Sequence, residues 1–509
     1  MNQKRLGIVL SYVNLAMGMV VNLFITPLMI SSLGDIDYSI YKVMQSFAGP
    51  LSIFHMGIST IVTRCIVKCQ TTEHYTEKDK QNTIALSFLA SIVMSFFVII
   101  AGAVMSGLIP TIYSDTYDSQ RICLGQKIFF VFVASAVFHM LTDVFSGCLI
   151  GHEKFVVSSS IPLVRTISKI VLLYALLKSG AGALAVVSVD LILAVGVFAF
   201  SIWFAVGVLH EVPKLTTFDK KQIIEIFMFG SAILLQAIVN QVNNNVDTMI
   251  LGAYINDKSI ITMYSSALAV YSIYNSLISV ISNFFLPKAT KLVMQNASGT
   301  ELTDLVIKPG RFQAMIAVGC IFGFSLFGRN FITIWIGEKY LDAYLVTLIL
   351  MIPVTIPLVE NAVISILDAS LKRIYRSTVL VIMAVFNVVI SVLLISRFGF
   401  WGAAAGTAIS LIVGHGFLMN IYYAKTFKIE IGRMFISIFK GILPAGLLAS
   451  LLCLPLSVYL SDTILYFAVK CILFVALYFL FLILFGMNTE EKEMIQIETK
   501  KLFSVIKKK

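Results

Sequence analysis

The chain has 509 residues, 58% of them hydrophobic and only 13% charged, and its mean hydropathy is +0.92. Soluble domains typically carry about 25% charged residues, so a soluble enzyme or a nucleic-acid-binding domain is excluded. The formal net charge of +11 is instead explained by orientation, because the basic residues gather in alternate loops, where cytoplasmic placement beside anionic headgroups favours them.

A bilayer core of roughly 30 Å takes about 20 apolar residues as helix. About fourteen segments reach that length: 6–31, 39–66, 83–109, 125–150, 157–178, 182–208, 223–252, 260–287, 305–328, 341–368, 375–396, 399–424, 434–457 and 463–486. The expected fold is therefore all-α, a polytopic membrane protein with almost no soluble part. Lys4 and Arg5 precede an apolar run too long for a signal peptide and without a cleavage site, so it reads as an uncleaved first helix. With the N-terminus inside, 26 Lys and Arg fall in inner segments and 7 in outer loops. That bias predicts both termini in the cytoplasm.

Beyond Gly486 the composition changes. Asn488 and Glu491 have capping-box spacing, and Ile495, Leu502, Phe503 and Ile506 recur among lysines. This predicts either a short amphipathic helix on the inner leaflet or a frayed charged tail.

A shift of about 220 residues brings out weak self-similarity: the segment from His152 to Ala185 aligns without gaps on that from Lys372 to Ala405. Helices 1–6 thus look like helices 7–12. Six is an even number, so the copies enter from the same side, and parallel repeats imply two bundles related by a pseudo-two-fold axis along the membrane normal, with a cavity between them. The expected division is an N-lobe, 1–212; a C-lobe, 213–433; two extra helices, 434–486; and a basic tail, 487–509.

Charged and amide residues interrupt this apolar pattern, and inside a membrane they are costly and usually functional. Arg165 and Lys169 share one face of helix 5, roughly 13 and 20 Å from its inner boundary at 1.5 Å per residue. Lys42 enters near the outer end of helix 2 and Arg64 near its inner end. These cations could line a cavity and bind an anionic diphosphate headgroup. The same residues also fit a structural role, Asp143 being at the depth of Arg165 and Asp190 at that of Lys169. On helix 7, Gln236, Asn240, Asn243 and Asp247 form a polar stripe. It either lines the cavity, with amides facing sugar hydroxyls, or holds helices together. Asp247 could also take H+ or Na+.

Other features carry less. His55, His139, Glu360 and His415 read as isolated packing residues or proton relays. The seven cysteines read as small apolar packing residues, Cys65 and Cys69 having no metal-site spacing. Asp35-Ile36-Asp37 is either a metal-holding acidic pair, as some lipid-sugar glycosyltransferases carry, or a turn after Gly34. No Walker A or HExxH motif is present.

In order and spacing, several short motifs resemble a known family. They are Thr26-Pro27, Leu33-Gly34 with Tyr38-Ser39-Ile40-Tyr41, Met56-Gly57-Ile58 followed by Arg64, Gly151 to Phe155, Asn244-Asn245-Val246-Asp247 with Ile250-Leu251-Gly252, Tyr264-Ser265 and Leu286-Pro287. The chain resembles the Wzx-type polysaccharide flippases of the multidrug/oligosaccharidyl-lipid/polysaccharide exporter (MOP, MATE-like) superfamily along essentially its whole length. His55 stands where that family often has an acidic residue, which puts a role for that carboxylate in doubt. The resemblance implies a bacterial inner-membrane flippase for undecaprenyl-diphosphate-linked oligosaccharide. It also implies alternating access without ATP hydrolysis, no cofactor, coupling to H+ or Na+ as an option, and a polysaccharide polymerase as a downstream partner. It raises the interest of Lys42, Arg64, Arg165 and Lys169 as substrate ligands. Two other readings stay open. An ion-coupled multidrug antiporter would use acidic residues such as Asp143, Asp190 or Asp247. A membrane glycosyltransferase would require Asp35 or Asp37.

Overall fold

A computed structural model describes residues 3–51, 57–71, 76–217, 241, 245–279, 292–293, 295, 297–370, 373–459 and 463–493. Among them there is no β-strand. The chain runs through α1 (Gln3–Ala48), α2 (Ile58–Thr71), α3 (Glu77–Tyr113), α4 (Ser119–Gly151), α5 (Phe155–Lys178) and α6 (Ala183–Ile202), the last continued by a π-helix, Trp203–Val208. After a helical stretch at 245–254 come α7 (Lys258–Ser279), α8 (Gly299–Trp335), α9 (Ala343–Val359), α10 (Asn361–Ala369), α11 (Arg373–Phe398) and α12 (Phe400–Leu411). A π-helix, Ile412–Met419, leads into α13 (Asn420–Phe427), followed by α14 (Ile431–Phe439), α15 (Ile442–Tyr459) and α16 (Ile464–Phe481).

Among the described residues, eleven helices are long and apolar enough to cross a membrane. The protein is therefore a multi-pass membrane protein. The difference from fourteen has simple causes. The first two expected segments run together as Val9–Leu51, most of the seventh lies outside the described residues, and the eighth, α7, is rich in Ser and Tyr. The first two are still separate helices. Gly34, at φ 70 and ψ 173, interrupts α1 between 3–33 and 35–48, a conformation open essentially to glycine alone.

Local chemistry sets several other ends. Thr76 with Asp79, and Ser298 with Glu301, form reciprocal capping boxes at the starts of α3 and α8. The thirteenth expected helix is broken into α14 and α15. Gly441 adopts φ +78, and a Cβ there would collide with the Phe485 carbonyl oxygen. That close approach needs a residue without a side chain.

Two compact units are present: residues 1–266 with 388–403, and 267–387 with 404–509. In the first, α1 lies along α5 through a seam of small and polar residues, in which Ser11 and Ser159 hydroxyls are 3.0 Å apart and Thr166 donates to Asn14 at 3.4 Å. Gly147 and Gly151 let α4 close on α2, so that Thr63 donates to the Gly147 carbonyl at 3.1 Å. Small residues at i and i+4 admit such backbone approach in membranes, where packing and hydrogen bonds replace the hydrophobic drive. In the second unit α8 is central. Its Gly319 and Gly323 receive the rings of Tyr478 and Phe474 from α16, and Tyr478 donates to the Met315 carbonyl at 2.7 Å.

Candidate functional site

Within the first unit, α4, α5 and α6 enclose an open cavity of about 310 Å³ lined by Ser146, Ser158, Thr166, Arg165, Lys169 and Asp190 among others. The helical period places Arg165 and Lys169 on one face of α5, and that face meets Asp190 on α6. Lys169 reaches both Asp190 oxygens, at 2.7 and 3.0 Å, while Arg165 stands 3.9 Å away. Asp190 is buried, but the two cations keep about a third of their side chains exposed, 32% and 30%. Lys169 thus engages both oxygens of the carboxylate directly, and the Arg165 guanidinium, with five N–H donors and 3.9 Å from it, keeps most of them for another acceptor.

A third cation lies near this group, although it does not line the cavity. Lys42, on the second half of α1, lies close enough to Lys169 for their charges to repel, and the adjacent Tyr41 feels the charge of Asp190. The Lys42 ammonium stands 5.6 Å from the Tyr38 ring centroid and 5.8 Å from that of Tyr41, within the range of cation–π attraction, and donates to Gln45 at 3.4 Å. Three cations and one carboxylate leave two positive charges uncompensated within this group. Together with the hydroxyls of Ser146, Ser158 and Thr166, the arrangement suits an anion rich in acceptor oxygens.

The other sequence candidates fall elsewhere. Arg64 lies on α2 with its side chain exposed and Asp143 half-buried on α4, and neither lines this cavity. Asp247 is buried and accepts from the Tyr264 hydroxyl at 2.7 Å and from Ser391 at 3.4 Å. Gln236, Asn240 and Asn243 lie outside the described residues, as do His55 and the tail beyond 493. Asp37 accepts from Arg121. Among the described residues no group of three or more His, Cys, Asp or Glu is placed to hold a metal ion.

A family model described as polysaccharide biosynthesis protein matches residues 7–294, more than half of the chain. The chain belongs to that family. No curated protein matches at a significant level. Among solved structures, the lipid II flippase MurJ in an inward closed conformation matches with a TM-score of 0.73 at 15% identity, over 93% of this chain and 98% of that one. An inward-facing multidrug resistance MATE transporter of the MOP superfamily matches at 0.65 and 13% identity, over 82% and 95%. A eukaryotic MATE transporter matches at 0.53 and 13%, over 86% and 97%. This member of the polysaccharide biosynthesis family therefore has the MurJ- and MATE-like fold.

Three polar clusters in this family member were not legible from the sequence. Lys80, expected in an inner loop, is buried and donates to Glu211 at 2.5 Å, and His152 meets the same oxygen at 2.7 Å. Burial alone would raise the Glu211 carboxyl, but hydrogen bonds from His152 and Lys80 hold it below its usual 4.5. Arg311 is buried against Glu491 at 2.6 Å and also donates to the Ser437 carbonyl at 2.6 Å. The Asn488 amide donates to Glu491 at 2.8 Å, one half of the expected capping box, so the same carboxylate caps the tail and holds Arg311. Glu360 and His415, read as isolated, are brought into one cluster through Asn420, which contacts the carboxylate of the first and the carbonyl of the second. Nothing in the spacing of these residues signals such pairings.

Proposed function

We propose that this protein is a flippase that carries undecaprenyl-diphosphate-linked oligosaccharide repeat units across the bacterial inner membrane by alternating access. Its product would feed assembly of a surface polysaccharide such as O-antigen, capsule or exopolysaccharide. The observation that carries the reading is the surplus of positive charge around Asp190. A diphosphate brings acceptor oxygens and negative charge, and charge-assisted hydrogen bonds from Arg and Lys are the strong ones. In this scheme Asp190 holds Lys169 in place, and the entering headgroup is bound by Lys169 together with Arg165 and Lys42. The amide stripe of Gln236, Asn240 and Asn243 would meet sugar hydroxyls, and Arg64 would assist the headgroup from the inner end. The fold supports the reading by analogy with a lipid flippase, an analogy that does not by itself carry function.

The reading also has both termini cytoplasmic, following the bias of basic residues. Transport would need no resident cofactor, would draw on H+ or Na+ through Asp143, Asp190 or Asp247, and would deliver the lipid-linked oligosaccharide to a polymerase. The test is headgroup translocation in proteoliposomes containing this protein alone and a short-sugar undecaprenyl-diphosphate lipid. Wild type should expose the headgroup in the far leaflet, Arg165→Ala and Lys169→Ala should fold but fail, and Asp35→Ala should work. Equal flipping without both helix-5 cations would make them structural pairs. A requirement for Asp35 would point to a glycosyltransferase. No flipping with any headgroup, together with ion-driven drug efflux, would favour the antiporter.

A further inference from the structure

The second unit holds a buried carboxylate that the substrate reading does not use. Glu360 stands between α9 and α10 and is 2% exposed. The helix ahead of it contains Pro353 and Pro357, each of which removes a backbone donor and loosens the ladder. Against Glu360 lies the junction of the π-helix Ile412–Met419 with α13, and π-segments are frequent at functional sites.

At that junction, donors and acceptors do not balance. The Asn420 side-chain nitrogen donates to Glu360 Oε1 at 2.6 Å and also faces the carbonyls of His415 at 3.0 Å and Gly416 at 3.3 Å. An amide nitrogen has two hydrogens, so three acceptors compete for two donors. Among the described residues, Glu360 Oε2 and Asn420 Oδ1 are both buried with no donor at all. A buried acceptor without a partner costs about 1–3 kcal/mol, and here two such atoms share one cluster. Charged and titratable groups stand on the neighbouring elements. Tyr423 on α13 feels the charge of Glu360, and Arg376 on α11 acts on both Tyr423 and His415. On α8, Arg311 is engaged by Glu491.

The missing element is a hydrogen. We propose that Glu360 is a proton-binding site of the second unit. The carboxylate takes H+ from the aqueous phase and becomes a neutral carboxylic acid. The new O–H donates within the cluster, and the proton returns to water when this junction opens. Glu360 would then couple a proton gradient to transport. That coupling role rests on the transport reading above, whereas the protonation does not.

The experiment has two arms, both on the full chain in liposomes. In the first, wild-type protein is treated with a hydrophobic carbodiimide, which reacts with protonated carboxyls in apolar surroundings, and the labelled site is mapped by mass spectrometry across a pH series. In parallel, infrared difference spectra follow the protonated-carboxyl band in wild type, Glu360→Gln and Asn420→Ala. The expected result is labelling at Glu360 that falls as pH rises and an infrared band absent from Glu360→Gln. Asn420→Ala should change the pH at which the band appears, since it has lost a donor to this carboxyl. No labelling at Glu360, labelling independent of pH, or a band unchanged in Glu360→Gln would overturn the proposal. In the second arm, headgroup flipping is timed with and without a pH gradient. Acceleration by the gradient in wild type but not in Glu360→Gln supports coupling, and acceleration retained by the variant, or absent from wild type, overturns it. Absence of any flipping would count against the transport reading while the first arm still decides protonation.

Discussion

Lys169 on α5 and Asp190 on α6 meet at 2.7 Å, while Arg165, one turn earlier on the same face, stands 3.9 Å from that carboxylate. The two cations are therefore not equivalent. Lys169 is the direct partner of Asp190, and Arg165 retains donors for a ligand.

Arg165→Ala is expected to slow headgroup translocation ten- to a hundred-fold, since hydrogen bonds to charged groups contribute about 1.5–3 kcal/mol. Its thermal stability in detergent should stay close to wild type. Asp190→Asn should instead lose about 1 kcal/mol of stability, because Lys169, partly screened by solvent, is left without its counter-charge. Equal destabilisation by the two variants would make Arg165 a structural residue.

Gly34 predicts a backbone effect. At φ 70 and ψ 173 a side chain is strained, so Gly34→Ala should cost about 1–3 kcal/mol in thermal or denaturant unfolding. Gly34→Asn should be no milder, because asparagine tolerates the left-handed helical region but not this one. A neutral Gly34→Ala would mean that the connection between 3–33 and 35–48 relaxes elsewhere.

Arg311 and Glu491 are 180 residues apart and form a buried ion pair. Glu491→Ala should destabilise the protein by about 3–5 kcal/mol, the usual result of leaving one buried charge unpaired. Arg311→Met combined with Glu491→Ala should recover part of that loss. Melting temperatures of the two single variants and the double variant decide the point, and additivity would show that the two residues act independently.

Glu211 gives a pH dependence with a definite sign. Its carboxyl is held below its usual 4.5 by His152 and Lys80 despite burial. A depressed carboxyl contributes stability above the unfolded value that is lost as pH falls through the folded one. Wild type should therefore lose stability on acidification below about 4.5, and Glu211→Gln should show a shallower loss over the same window. Unfolding followed at a series of pH values checks it, and identical slopes would remove Glu211 as the source.

How far the sequence can be read is clear from particular residues. Length and apolarity identify a membrane span because the bilayer sets both, and the backbone break at Gly34 is a local matter of glycine's conformational freedom. The pairing of Lys169 with Asp190 was also legible, since two helices joined by a short turn place residues at predictable depths. The expected partnership of Arg165 with Asp143 was not the contact found. Arg165 turns towards Asp190, because depth along a helix says nothing of rotation about its axis.

The chain alone thus determined an all-helical membrane protein and a set of intramembrane cations, both consequences of local hydrophobicity and helical period, while the order of its short motifs carried the family resemblance. Tertiary structure decided which charges meet. Lys80 with Glu211, Arg311 with Glu491 and Glu360 with Asn420 are joined by packing between segments distant in sequence. Such contacts depend on the rotation and close approach of whole helices, set by small residues such as Gly147 and Gly441, and no short-range pattern records them.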